Sequence, residues 1–271
     1  MNRLHMLKNA THTQMQSFII EEETGKLLVI DGGNYGDALH LLEKLREITG
    51  QQVPHVDAWF FTHAHSDHMN AFNELMDKHP GAVEFDAIYC NFPSLQYLGL
   101  EEKDAPKTLG DFIRYSPRFA EKIVTVSMDD IYTFGSCTIE ILQTVDTSVK
   151  ENIVNNSSVV FKMQLGAKSI LFLGDLGVEG GRRLLQNKKD RLKSDLCQMA
   201  HHGQNGVERE VYEAIAPEAC LWCAPDWLYN NDRGKGYNTH IYQTVIVRGW
   251  MEELGVKTHY CIKDGDQTVE C

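Results

Sequence analysis

Three histidines and an aspartate fall within six residues, His63 to His68, in the stretch THAHSDHMN. Imidazole and carboxylate at that density suit neither a core nor an ordinary surface, but they are the donors a divalent metal ion takes. The preceding VDAWFFT reads as a buried strand that delivers the chain into the cluster. SDHMNAFNELMDKHPG then reads as a helix, with Ser66 as its N-cap, Met69, Phe72 and Met76 on one face, and Pro80–Gly81 as its stop. His63 and His65 leave the strand two residues apart, so their rings can point the same way, while Asp67 and His68 turn back from the first helical turn. The two histidines can hold one ion and the Asp–His pair a second.

The elements that must position this cluster alternate along the chain. KLLVIDGG is a strand closed by a Gly-Gly turn, and GDALHLLEKLREITG follows as a helix ending at Gly50. Further strands are expected at FDAIYCN, KIVTVS, CTIEILQT, SSVVFKMQL, SILFLGD, DLCQMA and ACLWCA, and helices around 107–121, 178–192, 207–215 and 239–254. VKTHYCIKDGDQTVEC reads as a terminal hairpin turning at Asp264–Gly265. Nothing divides the chain, so residues 1–271 are read as a single α/β domain, a layered sheet sandwich flanked by helices. The least regular segment, 92–121, is read as an insertion or lid near the site. GGNYG is a lone glycine-rich turn and a weak nucleotide signal.

Composition narrows the function. The chain has 271 residues, 42% of them hydrophobic, and a formal net charge of −12, which argues against gripping long nucleic acid by bulk electrostatics. No stretch approaches a signal peptide or a membrane span. Seven scattered cysteines fit free thiols in a reducing, cytoplasmic setting. Cys220 and Cys223 form a CxxC, but within a buried strand positions three apart point to opposite faces, which favours packing over a zinc knuckle.

The HxHxDH pattern after a buried strand resembles the signature of the metallo-β-lactamase superfamily. That resemblance implies a four-layer αββα sandwich and two divalent metal ions, zinc foremost, with manganese or iron as alternatives. LLVIDGG resembles the family's first motif, making Asp31 the residue that braces the metal-binding loop. SILFLGDL places Asp175 as the carboxylate bridging two metals, and CQMAHHGQNG supplies His201 and His202. The order NNSSVVF, FLGDL, AHHG, YNTH and GVKTHYCIKDGDQTVE is further similar to the metallo-hydrolase domain of bacterial competence proteins and to phosphorylcholine esterases. One departure stands out: no histidine lies between His79 and His201, where many members carry a ligand. Asn155 or Asn156, a water, or a histidine of the HH pair is left to fill that position. His201, which leaves its strand first, is taken as the ligand, and His202 as a contact behind it or to substrate. Asp175 could instead cap the next helix, and His240 could either act in catalysis or pack at a helix start. His5, His12, His40, His55, His79 and His259 have no supporting context.

Such a centre would bring four positive charges against two from Asp67 and Asp175, and a bridging hydroxide leaves about +1, which favours an anionic substrate. The water it activates, with a pKa near 7, would be the nucleophile. The amino end of the helix at Ser66 suits a phosphate oxygen, and His202 or His240 would steady the oxyanion or protonate the leaving group. The reading is a dinuclear metal-dependent hydrolase of a small phosphoester, most simply a phosphodiester. Lactone, amide or thioester hydrolysis, a non-catalytic metal-binding module, and an iron redox protein are the alternatives, and the last lacks room for a flavin domain.

Overall fold

Every residue of Leu27–Asp31 is buried, so this strand must be covered on both faces. A computed structural model describes residues 1–271 and shows what covers it. The strands are β1 (Arg3–Met6), β2 (Ser17–Glu21), β3 (Leu27–Asp31), β4 (His55–Phe60), β5 (Glu84–Cys90), β6 (Ile123–Thr125), β7 (Ile131–Phe134), β8 (Cys137–Gln143), β9 (Val160–Leu165), β10 (Lys168–Phe172), β11 (Leu196–Gln198), β12 (Ala219–Trp222), β13 (Thr258–Cys261) and β14 (Gln267–Glu270). The helices are α1 (Ala38–Thr49), α2 (Ser66–Lys78), α3 (Leu95–Leu98), α4 (Asp104–Tyr115), α5 (Val178–Lys188), α6 (Arg209–Ile215), α7 (Asp226–Tyr229) and α8 (Thr244–Glu253).

Two seven-stranded sheets form, ordered β14-β1-β2-β3-β4-β5-β6 and β13-β12-β11-β10-β9-β8-β7. Strand alternation feeds three apolar layers. Phe18, Leu28, Ile30 and Phe60 of the first sheet meet Ile141, Phe161, Ile170 and Phe172 of the second. Ile19, Val29 and Trp59 point outward to Leu41 of α1, Phe72 of α2 and Phe112 of α4. Val160, Leu171 and Trp222 pack on the opposite side against Leu184, Val211 and Val247 from α5, α6 and α8. The result is the αββα sandwich. Across its centre Phe18 meets Phe172 at 5.2 Å and Phe60 meets Phe161 at 5.6 Å between ring centroids. No helix is long and apolar enough to cross a membrane.

Three expectations are corrected. The last two strands are no hairpin: β13 lies parallel to β12 in one sheet, while β14 pairs antiparallel with β1 in the other. The turn at Ile262–Asp264, followed by Gly265 at φ 109°, carries the chain across the sandwich instead of folding it back. The cap of α2 is His65, extended at φ −82° and ψ 156° with no side-chain cap bond, and Ser66 is the first helical residue. The last expected helix starts at Thr244, leaving 230–243 as a loop. In segment 92–121, Leu98, Leu109 and Phe112 join the core that covers Trp59. Cys220 packs in the outer layer and Cys223 in the central one, both unpaired, as the opposite-face reading of that strand expects.

Phe60 stacks on Tyr89 at 4.6 Å and meets Phe161 at a tilt of 37°, so it ties the sheets at their middle. Phe60→Ala is expected to lower unfolding free energy by about 3–5 kcal/mol, measured as a shift of the urea midpoint at constant slope.

Candidate metal centre

The site forms where four strands end. β3 and β4 are parallel neighbours in the first sheet, and β10 and β11 are parallel neighbours in the second. Side chains just beyond their carboxyl ends therefore meet across the top of the sandwich, where such crevices form. Asp31 closes β3, His63 lies three residues beyond β4, Asp175 three beyond β10, and His201 three beyond β11.

Asp31 is fully buried and does not belong to the donor groups. Its carboxylate accepts from the Thr62 amide at 2.8 Å, the Thr62 hydroxyl at 2.9 Å, Gln16 Nε2 at 2.8 Å and His68 Nδ1 at 2.8 Å. The Gln16 amide in turn bonds the Asp67 carbonyl at 3.0 Å. Asp31 thus grips both ends of the histidine stretch.

Two groups of donors face each other: His63, His65 and Asp175, and Asp67, His68 and His202, with ligand atoms in each group within 4.8 Å of one another. Asp175 lies between them. Its Oδ1 is 3.2 Å from His68 Nε2, and its Oδ2 is 3.3 Å from His202 Nε2 and 3.8 Å from both His63 and His201 Nε2. Two donors about 2.1 Å from a shared tetrahedral ion stand about 3.4 Å apart, so these spacings fit cation cages.

The hydrogen bonds give an independent test of fit. Each of the five imidazoles has one nitrogen engaged by the protein and the other turned inward. Thr62 Oγ1 takes His63 Nδ1 at 3.1 Å, Asp31 takes His68 Nδ1, the Asn205 carbonyl takes His201 Nδ1 at 3.3 Å, and the Cys223 carbonyl takes His202 Nδ1 at 2.9 Å. For His65 the roles are reversed: Nε2 is 3.2 Å from Glu102 Oε1, and Nδ1 lies 2.9 Å from His63 Nε2. Partners of this kind fix tautomer and ring direction in metal sites. Inside, His68 Nε2, His202 Nε2 and Asp175 Oδ1 are buried with no partner outside the donor groups, meeting only one another and Asp67 at 3.2–3.3 Å, a crowding of buried polar atoms that a cation would satisfy.

The electrostatics agree. Burial works against charge on His68 and His202, yet the Asp175 carboxylate, helped by Asp31 at the first and Asp67 at the second, outweighs it. His68 is raised well above its usual range and His202 to about 9. His63, buried beside His68, is held well below. Burial opposes ionisation of Asp175 too, but His68 and His202 keep its carboxyl well below the usual range. The centre demands positive charge.

Other placements differ from expectation. His202, expected behind the ligand, is fully buried inside the second donor group, whereas His201 approaches Asp175 from the rim with 18% of its side chain exposed. Both adopt left-handed backbone, at φ 52° and 56°, which costs non-glycine residues about 1–3 kcal/mol each. This turn aims both rings at Asp175. Gly203 follows at φ 81°, and a Cβ there would lie 2.3 Å from the Trp222 ring. Asn155 and Asn156 do not face the donors: Asn155 bonds Asn152, while Asn156 Oδ1 accepts from Gly177 and Gly180 at the start of α5. Asp175 does not cap that helix, whose N-cap is Gly177. His240 stacks on Tyr242 at 4.8 Å and is not among the residues lining the cavity.

That cavity, about 340 Å³, is lined by His65, Asp67, Asp175 and His201 together with residues the sequence reading did not single out: Glu102, Asp104, Trp227, Arg233 and the stretch His12–Gln14. The approach of a glutamate carboxylate to His65 across 37 positions leaves no local signature. The DRGKG loop, a basic glycine-rich turn, did offer one.

The model of the metallo-beta-lactamase superfamily matches residues 11–218. ComE operon protein 3 of Bacillus subtilis (strain 168) is 26% identical over 177 residues, which make up 64% of this chain and 20% of that protein; the chain thus spans about a fifth of that relative's length. Among solved structures, CmlA, a diiron beta-hydroxylase from Streptomyces venezuelae, aligns with a TM-score of 0.58 at 12% identity, over 100% of this chain and 54% of its own. A diphosphatase from the PhnP family aligns with a TM-score of 0.50 at 12% identity, over 100% and 98%. Identities this low speak to the fold alone.

Glu102→Ala frees His65 Nε2 and should weaken zinc retention about 10–100-fold, read by competition with a chromogenic chelator. Unchanged retention would show that the contact does not orient the ring.

Proposed function

The chain belongs to the metallo-beta-lactamase superfamily of metal-dependent hydrolases, and from that premise we propose that it cleaves a phosphoester, most simply a phosphodiester of modest size. The observation that carries this is Asp175, which belongs with His63 and His65 to one donor group and also lies 3.2 and 3.3 Å from His68 and His202 of the other. His63, His65 and Asp175, with His201 at the rim, would hold one ion, and Asp67, His68, His202 and Asp175 the other. His201 thereby stands in for the missing mid-chain histidine. Zinc suits this imidazole-rich, carboxylate-bridged set, with manganese or iron as substitutes. Two such ions would supply Lewis acidity and lower the pKa of a water to about 7.

The chain's own residues do the rest. Asp31 and Thr62 fix His68 and the loop around it, and the Cys223 carbonyl fixes His202. Gln14, Thr13 and Asn34 line the cavity with polar groups alongside Glu102 and Asp104. A volume of 340 Å³ is at the small end for ligand pockets, in keeping with a compact substrate, as the net charge of −12 is with exclusion of long nucleic acid. Seven unpaired cysteines support a cytoplasmic setting.

The metal-replete protein is expected to hydrolyse bis-p-nitrophenyl phosphate in preference to nitrocefin or a thioester. Asp175→Ala should lower kcat by on the order of 10²–10³, the scale of one lost electrostatic stabiliser, and lower bound metal per chain by elemental analysis. Faster turnover of nitrocefin or the thioester would refute the substrate class.

A further inference from the structure

The charge count that favours an anionic substrate changes once the cavity is seen. Asp67, Asp175, Glu102 and Asp104 all line it; set against two divalent ions and the same bridging hydroxide, these four carboxylates leave about −1. The cationic side chain there is Arg233, the single lysine or arginine among the lining residues.

Arg233 is exposed, yet its surroundings are built. Its guanidinium lies 3.7 Å from the centroid of the Trp227 ring. Trp227 is itself held by its Nε1–H donating to the His12 carbonyl at 3.1 Å and by Tyr242 packing at 5.8 Å. The loop on either side of Arg233 is pinned. Buried Asn231 donates to Asn238 Oδ1 at 2.8 Å and the His240 carbonyl at 2.9 Å, and accepts from the Tyr242 amide at 3.1 Å. Asp232 Oδ1 accepts from the amides of Gly234, Lys235 and Gly236 at 2.7, 3.0 and 2.9 Å. Asp232 is thus committed to backbone rather than to its neighbour's guanidinium. No carboxylate pairs with Arg233, whose one side-chain hydrogen bond is a long 3.5 Å contact to the Tyr242 hydroxyl. A guanidinium held over an aromatic face still has N–H groups at its edge, free for the paired oxygens of a phosphate.

We propose that Arg233, stacked on Trp227, is the anion anchor of this cavity, binding the phosphoryl oxygens of the substrate that face away from the donor groups and so selecting charged phosphoesters over neutral esters. The anchor deepens the phosphoesterase reading and rests on it. It makes the loop 230–243, rather than the donor groups, the element that sets substrate class. Tyr242, packed against Trp227, and His240, stacked on Tyr242, buttress that loop.

The test uses the metal-loaded full chain as wild type, Arg233→Gln, Arg233→Lys and Trp227→Leu, with metal content and near-ultraviolet circular dichroism as controls. Two readouts are taken: inorganic phosphate binding by calorimetry, and the ratio of kcat/KM for bis-p-nitrophenyl phosphate to that for p-nitrophenyl acetate. Arg233→Gln should weaken phosphate binding and lower the ratio about 10–100-fold, the range for a hydrogen bond to a charged group. The loss should appear in KM, with Arg233→Lys restoring part of it and Trp227→Leu falling between. Phosphate binding and ratio both unchanged in Arg233→Gln, or no phosphate binding by wild type, overturns the anchor. If wild type binds phosphate through Arg233 but hydrolyses no phosphoester, the anchor stands and the phosphoesterase reading falls.

Discussion

Asp175 is a carboxylate with 1% exposure, and a buried anion without partners would be intolerable. Everything at the top of the sandwich answers it. His68, His202, His63 and His201 turn nitrogens toward it from both sheets, and Asp31, Thr62 and the Cys223 carbonyl exist in the structure to hold those rings in place. The same constraint explains the strain. Left-handed backbone at Asp31, His201 and His202 is unfavourable locally and is tolerated because tightly packed strands on either side leave the chain no other course.

Much of the architecture was legible because the sheets are covered on both sides. Runs such as LLVI and ILFL, bounded by glycines, mark strands whose two faces are both apolar, and the 3.6-residue spacing of Leu41 and Leu45 marks the helix that covers them. The family signature then carried the layer order. What local pattern could not carry was any choice made by distant chain. Asp264–Gly265 is a good turn signal, but whether the following strand folds back or crosses over depends on an open edge at β1, more than 250 residues away.

The site divides the same way. The spacing of His63, His65, Asp67 and His68 after a strand was readable, since backbone direction alone turns them together. Which of His201 and His202 points inward was not, because two consecutive left-handed residues upset the usual relation between leaving a strand and facing its end. Glu102 and Arg233 reach the cavity from a helix start and a loop whose positions follow from packing of Leu98 and Trp227. Counting charges from the donors alone accordingly gave too positive a site; the cavity's own carboxylates had to be seen to be counted.

The crossing at Ile262–Gly265 has a consequence for how the molecule assembles. Strands β1 to β6 build one sheet and β7 to β13 the other, so each half of the polypeptide could gather its own ladder early. Only β14 changes sides, clasping the first strand with the last. That contact pairs Arg3 with Glu270, a long-range closure whose entropic cost only the finished sandwich offsets. Without β14, β1 would be an edge strand of the first sheet, open to pairing with another extended peptide.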